Sequence, residues 1–262
     1  MIPNHTPLRV VEIFRTLEAL FPGRIDLGLG RAPGTDPTTA YALRARLDGR
    51  EGDEFLERLS ELMLWETRNF PEGHPYNRVI AMPSDAPLPP IFLLGSSDYS
   101  ADLSAQIGMG FAFAHHFATY DAVEALTHYR ARFKPSPIRS TPWAILAVAA
   151  VVAEPDAGGD LPAPSMDLTR LRRDRGEYLP LPSPEEALAY PYTEGDRAKI
   201  ARSRKRMFIG SPATVLSKLR PMIEACQADE GMITSSIYDH EARKKSYTLL
   251  AEAFGLQRRE AA

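Results

Sequence analysis

Hydrophobic positions along the chain alternate between helical stripes and short continuous runs. The first stripe, over residues 6–21, has apolar side chains three and four positions apart and predicts an amphipathic helix. The short runs that follow are bounded by proline and glycine and predict strands, several of them buried on both faces. These predicted strands cover residues 24–30, 91–95, 111–115, 143–153 and 231–237. Helical stripes separate them, and a last one covers residues 240–254, so a strand–helix unit is repeated about five times.

This alternation predicts an α/β fold in which helices cover a parallel sheet. Five units fit a doubly wound sheet, and they equally fit a (β/α)8 barrel that lacks three of its eight units. Residues 154–195 break the rhythm, because they are rich in proline and have no clean period. We interpret them as a long excursion or mobile loop with a short helix at residues 184–188, and a disordered linker is the alternative. The basic run over residues 197–206 is interpreted as the solvated face of a helix.

Composition excludes several classes of function. The 262 residues are 44% hydrophobic and 25% charged, which is ordinary for a globular protein. A net charge of −3 and a pI of about 6.1 give no basic excess for nucleic acid, and no apolar run approaches membrane-spanning length. Cys226 is the single cysteine, which excludes an intrachain disulfide and a cysteine zinc site. With no signal peptide in the sequence, a cytoplasmic location is predicted.

Candidate chemistry follows the predicted strands, because parallel α/β folds bind ligands at the carboxyl ends of their strands. Arg31 follows the first strand beside glycines and suits a phosphate, with a surface salt bridge as the alternative. Ser96, Ser97 and Ser100 follow the second strand, where a helix begins. Hydroxyls and free amide N–H groups there form an anion site, and ordinary helix capping is the alternative.

Two histidines, His115 and His116, end the third predicted strand. Adjacent residues of a strand point to opposite faces, so the pair is poorly placed to ligate one metal ion. No other histidine or carboxylate shows ligand spacing, and no metal is predicted. One of the two is expected to face the pocket as a catalytic residue, and a structural role for both is the alternative.

Several stretches carry a family signature: GRIDLGLGR at residues 23–31, LGSS at 94–97, FAFAHHF at 111–117, GSP at 210–212 and IYDH at 237–240. Together they resemble the bacterial luciferase-like flavin monooxygenases, and in particular the single-chain luciferase-like subgroup. The resemblance implies a (β/α)8 TIM barrel, here a single domain over residues 1–262 that lacks its first strands. Residues 1–5 correspond to the end of the family's third strand. The Glu-His-His stretch of the family's earlier strands has no counterpart, so a truncated chain is expected.

The resemblance also implies a function and a cofactor. Family members use reduced FMN, supplied by a separate flavin reductase, and O2 to oxidise an aldehyde or another small organic substrate. Two alternatives stay open: a non-catalytic remnant that binds flavin weakly or not at all, and a deazaflavin-dependent oxidoreductase of the same superfamily. A homo-oligomer that pairs through barrel helices is expected. The residues that the resemblance places on FMN are Arg31, Pro33, Ser96, Ser97 and Ser100.

Overall fold

The computed structural model describes residues 2–32, 34–44, 54–154 and 163–257, without the side chain of Arg44. Two compact units make up the chain. The first unit comprises residues 1–112 and 129–143, and the second unit comprises residues 113–128 and 144–262.

The described residues form ten α-helices and six strands. The helices are α1 (Pro7–Leu20), α2 (Pro37–Arg44), α3 (Glu54–Thr67), α4 (Asp98–Ile107), α5 (Ala122–Arg132), α6 (Pro164–Asp174), α7 (Pro184–Ala189), α8 (Glu194–Arg204), α9 (Pro212–Ala225) and α10 (His240–Ala253). The strands are β1 (Leu27–Gly30), β2 (Ile91–Gly95), β3 (Gly110–Ala114), β4 (Ala144–Val152), β5 (Met207–Gly210) and β6 (Glu230–Thr234). None of these helices is both long and apolar enough to cross a bilayer.

In the first unit, β1 and β2 pair in parallel, with Leu27 opposite Ile91 and Gly30 opposite Leu94. Alternate residues of a strand share a face, so the leucines of β1 and the apolar residues opposite them form one buried surface. Side chains of α1 and α3 pack against this surface. The core of the unit is Ile2, Val10, Val11, Leu27, Leu29, Phe55, Leu59, Leu62, Trp65, Ala81, Ile91, Leu93 and Met109.

In the second unit, β4 is the central strand. It pairs in parallel with both β5 and β6, and Ala149 lies opposite Met207 of one and Thr234 of the other. Eight of its nine residues are buried, as a strand covered on both faces requires. The last strand therefore lies beside β4, as the pattern predicts. The parallel α/β class is confirmed, and the described strands do not close into a barrel, because β1 and β5 end the strand path.

The structure corrects the predicted elements in three places. Six strands are described where five were predicted, because β5 has only four residues and directly follows the basic run. The first strand begins at Leu27 and the last ends at Thr234, so both are shorter than predicted. Within the predicted excursion, residues 164–174 form the helix α6, whereas residues 155–162 lie outside the described residues. The short helix predicted at 184–188 is present as α7, and α8 carries most of the basic run.

Candidate functional site

A group of polar side chains lies at the carboxyl ends of β1 and β2 in the first unit. Because Gly30 is opposite Leu94, the next residues, Arg31 and Gly95, lie at the same level at the carboxyl ends of the two strands. Ser96 and Ser97 follow at once and lead into α4. The structure thus brings Arg31, Ser96, Ser97 and, in the first turn of α4, Ser100 to the same strand ends. We call these four residues the strand-end cluster. Pro33, also predicted to contact flavin, lies outside the described residues.

The start of α4 approaches the end of β2 closely. A Cβ atom on Gly95 would collide with the side chain of Ser100, so only glycine fits where the strand gives way to the helix. Ser97 is the N-cap residue in an extended conformation, yet its side chain makes no capping hydrogen bond. The Tyr99 amide instead donates to the Asp98 carboxylate at 2.8 Å. Helix capping, the alternative role for Ser97, therefore does not occupy its hydroxyl.

Arg31 is exposed, and a neighbouring aromatic ring holds it in place. Its guanidinium carbon lies 4.6 Å from the centre of the Tyr99 ring, a cation–π contact. Among the described residues no carboxylate pairs with Arg31, so the salt bridge considered as its alternative role is not found there. Tyr99 was not singled out in the sequence. Its position two residues after Ser97, in the first turn of a helix that begins at a strand end, is the signal that could have pointed to it.

The two histidines lie in a turn of the second unit and not on a strand, which corrects the prediction. β3 ends at Ala114, and residues 115–117 form the turn. The His115 amide still donates to the Ala147 carbonyl of β4 at 2.9 Å, so the strand pairing extends to the first histidine before the chain turns. The argument that adjacent strand residues face opposite sides therefore does not apply to this pair.

The imidazoles of the two histidines are half-buried and differ in their partners. His116 Nδ1 lies 3.3 Å from the Ala147 carbonyl oxygen, which only accepts, so Nδ1 carries the proton and Nε2 keeps a lone pair. His115 Nδ1 is buried with no hydrogen-bond partner in the described part of the chain. Burial lowers the pKa of both histidines, and the nearby cations Arg206 and Arg170 lower the pKa of His115 and His116 respectively. Both imidazoles are thus held in the neutral form.

These lowered pKa values predict that the protein loses stability in mild acid. Below pH 6.5, the ordinary histidine value, the unfolded chain takes up protons on His115 and His116 before the folded protein does. The free energy of unfolding therefore falls as the pH drops below 6.5, by at most about 1.4 kcal/mol per pH unit for each histidine. Urea unfolding followed by tryptophan fluorescence across this window measures the slope.

The matched variants are His115→Gln with His116→Gln, and His240→Gln at the exposed start of α10. The double variant should flatten the pH dependence, while the part that comes from His5, whose pKa burial also lowers, should remain. An unchanged slope in the double variant, or an equal change in His240→Gln, would contradict the assignment.

Within the described ranges, no three His, Cys, Asp or Glu side chains are grouped as a metal ion would need. Cys226 is buried and free, and burial raises the pKa of its thiol to about 11. A thiol held so firmly in its protonated form is a poor nucleophile. The chemistry available at the two sites is thus that of arginine, hydroxyl and imidazole groups.

A family model described as luciferase-like monooxygenase matches residues 1–226. The chain belongs to this family. The match confirms the resemblance seen in the sequence and makes the chain a member of an enzyme family. A relative named luciferase-like monooxygenase, from Escherichia coli (strain K12), is 37% identical over 249 residues, which are 95% of this chain and 73% of the relative.

Solved structures share the fold of this chain. The crystal structure of apo-MsnO8 is 35% identical, has a TM-score of 0.83, and is matched over 99% of this chain and 76% of its own. Two structures of low identity share the fold alone. They are the oxygenating constituent of 3,6-diketocamphane monooxygenase of Pseudomonas putida in complex with FMN (16% identity, TM-score 0.59, 99% of this chain and 79% of the other) and an F420-dependent secondary alcohol dehydrogenase (13%, 0.61, 95% and 75%).

Proposed function

We propose that this chain is an FMN-dependent monooxygenase that uses O2 to oxidise an aldehyde or another small organic substrate. The observation that carries the proposal is the strand-end cluster, where the Arg31 guanidinium has no carboxylate partner among the described residues and the Ser97 hydroxyl makes no capping bond. We further propose that a separate reductase supplies the reduced flavin, and that the protein acts in the cytoplasm as a homo-oligomer.

The residues of the cluster fit a phosphate monoester. Arginine presents a planar fork of donors that matches phosphate oxygens, and hydroxyls at a helix start add neutral donors. Arg31 would hold the FMN phosphate, Ser96 and Ser97 would donate to it, and Ser100 would line the ribityl side. Asp98 is an acidic residue next to the cluster that would repel a phosphate, and its carboxylate accepts a hydrogen bond from the Tyr99 amide. When FMN is bound and reduced, it provides the group that reacts with O2.

The turn over residues 115–117, which we call the histidine turn, supplies a proton acceptor in the second unit. Because the Ala147 carbonyl binds the proton on Nδ1 of His116, its Nε2 lone pair can accept a proton at neutral pH. His115 has no partner on Nδ1, so its tautomer is not fixed by a hydrogen bond of the described residues. We propose His116 as the residue that exchanges protons in the reaction, with His115 as the second candidate.

The structural relatives support the cofactor choice only through the fold, since one contains FMN and another uses F420. The preference for FMN rests on the sequence stretches that resemble the single-chain luciferase-like subgroup. Comparing the affinity of the protein for FMN with its affinity for F420 distinguishes these two cofactors. Because free reduced FMN consumes O2 by itself, formation of the oxidised product from an aldehyde in the presence of reduced FMN and O2 distinguishes the enzyme from the non-catalytic remnant.

If the strand-end cluster grips phosphate, the protein should prefer FMN to riboflavin. The two flavins share the ring and ribityl chain, and a charge-assisted contact to phosphate contributes about 1.5–3 kcal/mol, so FMN should bind at least about ten-fold more tightly. Titrating protein into a small fixed amount of either flavin, and following the quenching of flavin fluorescence, measures both affinities. Equal affinity for the two flavins would rule out a phosphate-binding site in the strand-end cluster.

A further inference from the structure

The second unit contains a cleft of about 580 Å3 whose lining is dominated by positive charge. Its volume is in the range of small-molecule sites, roughly 300–1,000 Å3. It lies between the histidine turn, α6, α8 and the residue before β5, and it shares no residue with the strand-end cluster. We call it the basic cleft; it is lined by His116, Phe117, Arg170, Arg173, Asp174, Lys199, Arg202, Ser203 and Arg206.

Arg170 is the fixed centre of this cleft. It is half-buried, and its Nη1 donates to the His116 carbonyl at 3.2 Å and to the Ser203 hydroxyl at 2.9 Å. Both bonds use one nitrogen, and neither acceptor carries a charge. Burial and the neighbouring Arg206 lower the pKa of Arg170 more than the carboxylates of Asp167 and Asp174 raise it, so the folded chain holds two guanidinium groups together at an electrostatic cost. An anion between them would remove that cost.

The other cations of the cleft have no acidic partner in the described part of the chain. Arg206 is half-buried, and its Nε is buried without a hydrogen-bond partner. Arg173, Lys199 and Arg202 likewise form no ion pair with a described residue. Asp174 is the one carboxylate in the lining, against five cationic side chains. A buried donor with no partner is costly, so Arg206 Nε is suited to a ligand that accepts a hydrogen bond, and the exposed cations beside it favour a ligand with negative charge.

The same helices do pair their arginines outside the cleft. Arg172 of α6 binds Glu186 at 2.7 Å, and Arg204 of α8 binds the buried Asp167. The segment after α6 repeats this, since Arg175 binds Asp196 at 2.7 Å. Three arginines of this basic region thus have carboxylate partners outside the cleft, although Arg197 and Lys205 form no ion pair with a described residue there.

We propose that the basic cleft binds a small organic anion through a phosphate or carboxylate group held between Arg170 and Arg206. Lys199, Arg173 and Arg202 surround that group and neutralise further negative charge. Phe117, which is 60% exposed, offers an apolar surface for the uncharged part of the ligand. A concave site centred on the hydrogen-bonded Arg170 guanidinium favours a compact anion over an extended polyanion, which needs a long convex or grooved surface.

Inorganic phosphate is the probe for the test, with binding to the 262-residue chain measured by calorimetry at low ionic strength. Arg170→Gln and Arg206→Gln should each raise the Kd for phosphate at least about ten-fold. Lys205→Gln removes the same charge from an exposed residue that does not line the cleft, and it should leave the Kd nearly unchanged. Since Arg170 also tethers the histidine turn, circular dichroism checks its folding, and Arg206→Gln, which removes no described hydrogen bond, tests the site independently.

The proposal is overturned by the absence of saturable phosphate binding, by an equal loss in Lys205→Gln, or by a loss that follows Arg31→Gln but not the cleft variants. The last outcome would instead assign phosphate to the strand-end cluster, so the two proposals fail separately. Competition then distinguishes the sources of the oxyanion, with glycerol 3-phosphate as the phosphate monoester and tricarballylate as the polycarboxylate. Failure of both competitors, or displacement of phosphate only by an oligonucleotide, would exclude a small organic ligand.

Discussion

Replacing Arg31 with alanine is expected to weaken FMN binding by one to two decades. The guanidinium stands at the carboxyl end of β1 with no carboxylate partner among the described residues, so its donors are available to a phosphate. The loss of a charge-assisted contact of about 1.5–3 kcal/mol sets the size of the effect. Folding stability should hardly change, because Arg31 is exposed and loses a cation–π contact with Tyr99 of only about 0.5–1 kcal/mol.

The control is Arg24→Ala, three residues before β1 begins. Arg24 is also exposed and also stacks on an aromatic ring, with its guanidinium carbon 5.9 Å from the centre of Phe21. It should leave FMN affinity unchanged, whereas Arg31→Lys should recover only part of the loss, because lysine lacks the bidentate fork. The same fluorescence titration measures all three variants. If Arg31→Ala and Arg24→Ala weaken FMN equally, the effect is one of net charge and the phosphate assignment is wrong.

Replacing Glu66 with glutamine is expected to lower the free energy of unfolding by about 3 kcal/mol. Arg15 of α1 is only 3% exposed, and the Glu66 carboxylate of α3 binds it through two bonds, of 3.1 Å to Nε and 2.7 Å to Nη2. The same carboxylate accepts the Leu88 amide at 3.1 Å, which ties the segment before β2 to α3. Removing one partner of a buried ion pair costs roughly 3–5 kcal/mol, and the 22% exposure of Glu66 favours the lower end.

Two further variants test the cause of that loss. Glu57→Gln, on the exposed side of α3, should change stability by less than about 0.5 kcal/mol. Arg15→Met should cost less than Glu66→Gln, because the carboxylate that it leaves behind can reach water whereas the Arg15 guanidinium cannot. Urea unfolding gives the three values. A loss below about 1 kcal/mol in Glu66→Gln would mean that the pair contributes little to holding α1 and α3 together.

The strands and their order along the chain could be predicted from the sequence because each predicted strand consists of a few apolar residues bounded by proline or glycine. β4 is the clearest example, with nine alanine, valine, leucine and isoleucine residues in succession. β5 was missed because four residues are too few for a pattern, and they follow a charged run. α6 was missed because its arginine and aspartate residues make the segment polar. Its apolar stripe is short, and Leu168 and Leu171 pack inward on Ala187.

The strand-end cluster was largely predictable, whereas the basic cleft was not. Arg31 and Ser96 each follow a predicted strand, and parallel strands bring their carboxyl ends to one edge, so topology alone places them together. Arg170 and Arg206 are far apart in the sequence and lie on segments with no functional motif. Their proximity depends on how α6 and α8 pack, and periodicity carries no information about that.

The amino-acid sequence by itself determined the α/β class and the family, and it predicts the strand ends that we propose for phosphate, because these follow from local apolar patterns and short motifs. The tertiary structure decided which polar groups have partners. Ser97 caps its helix without using its hydroxyl, the histidines lie in a turn, and the buried Nε of the half-buried Arg206 has no partner among the described residues. Whether a polar atom is paired depends on neighbours brought together by packing, so the unpaired donors that suggest ligands appear only once the chain is folded.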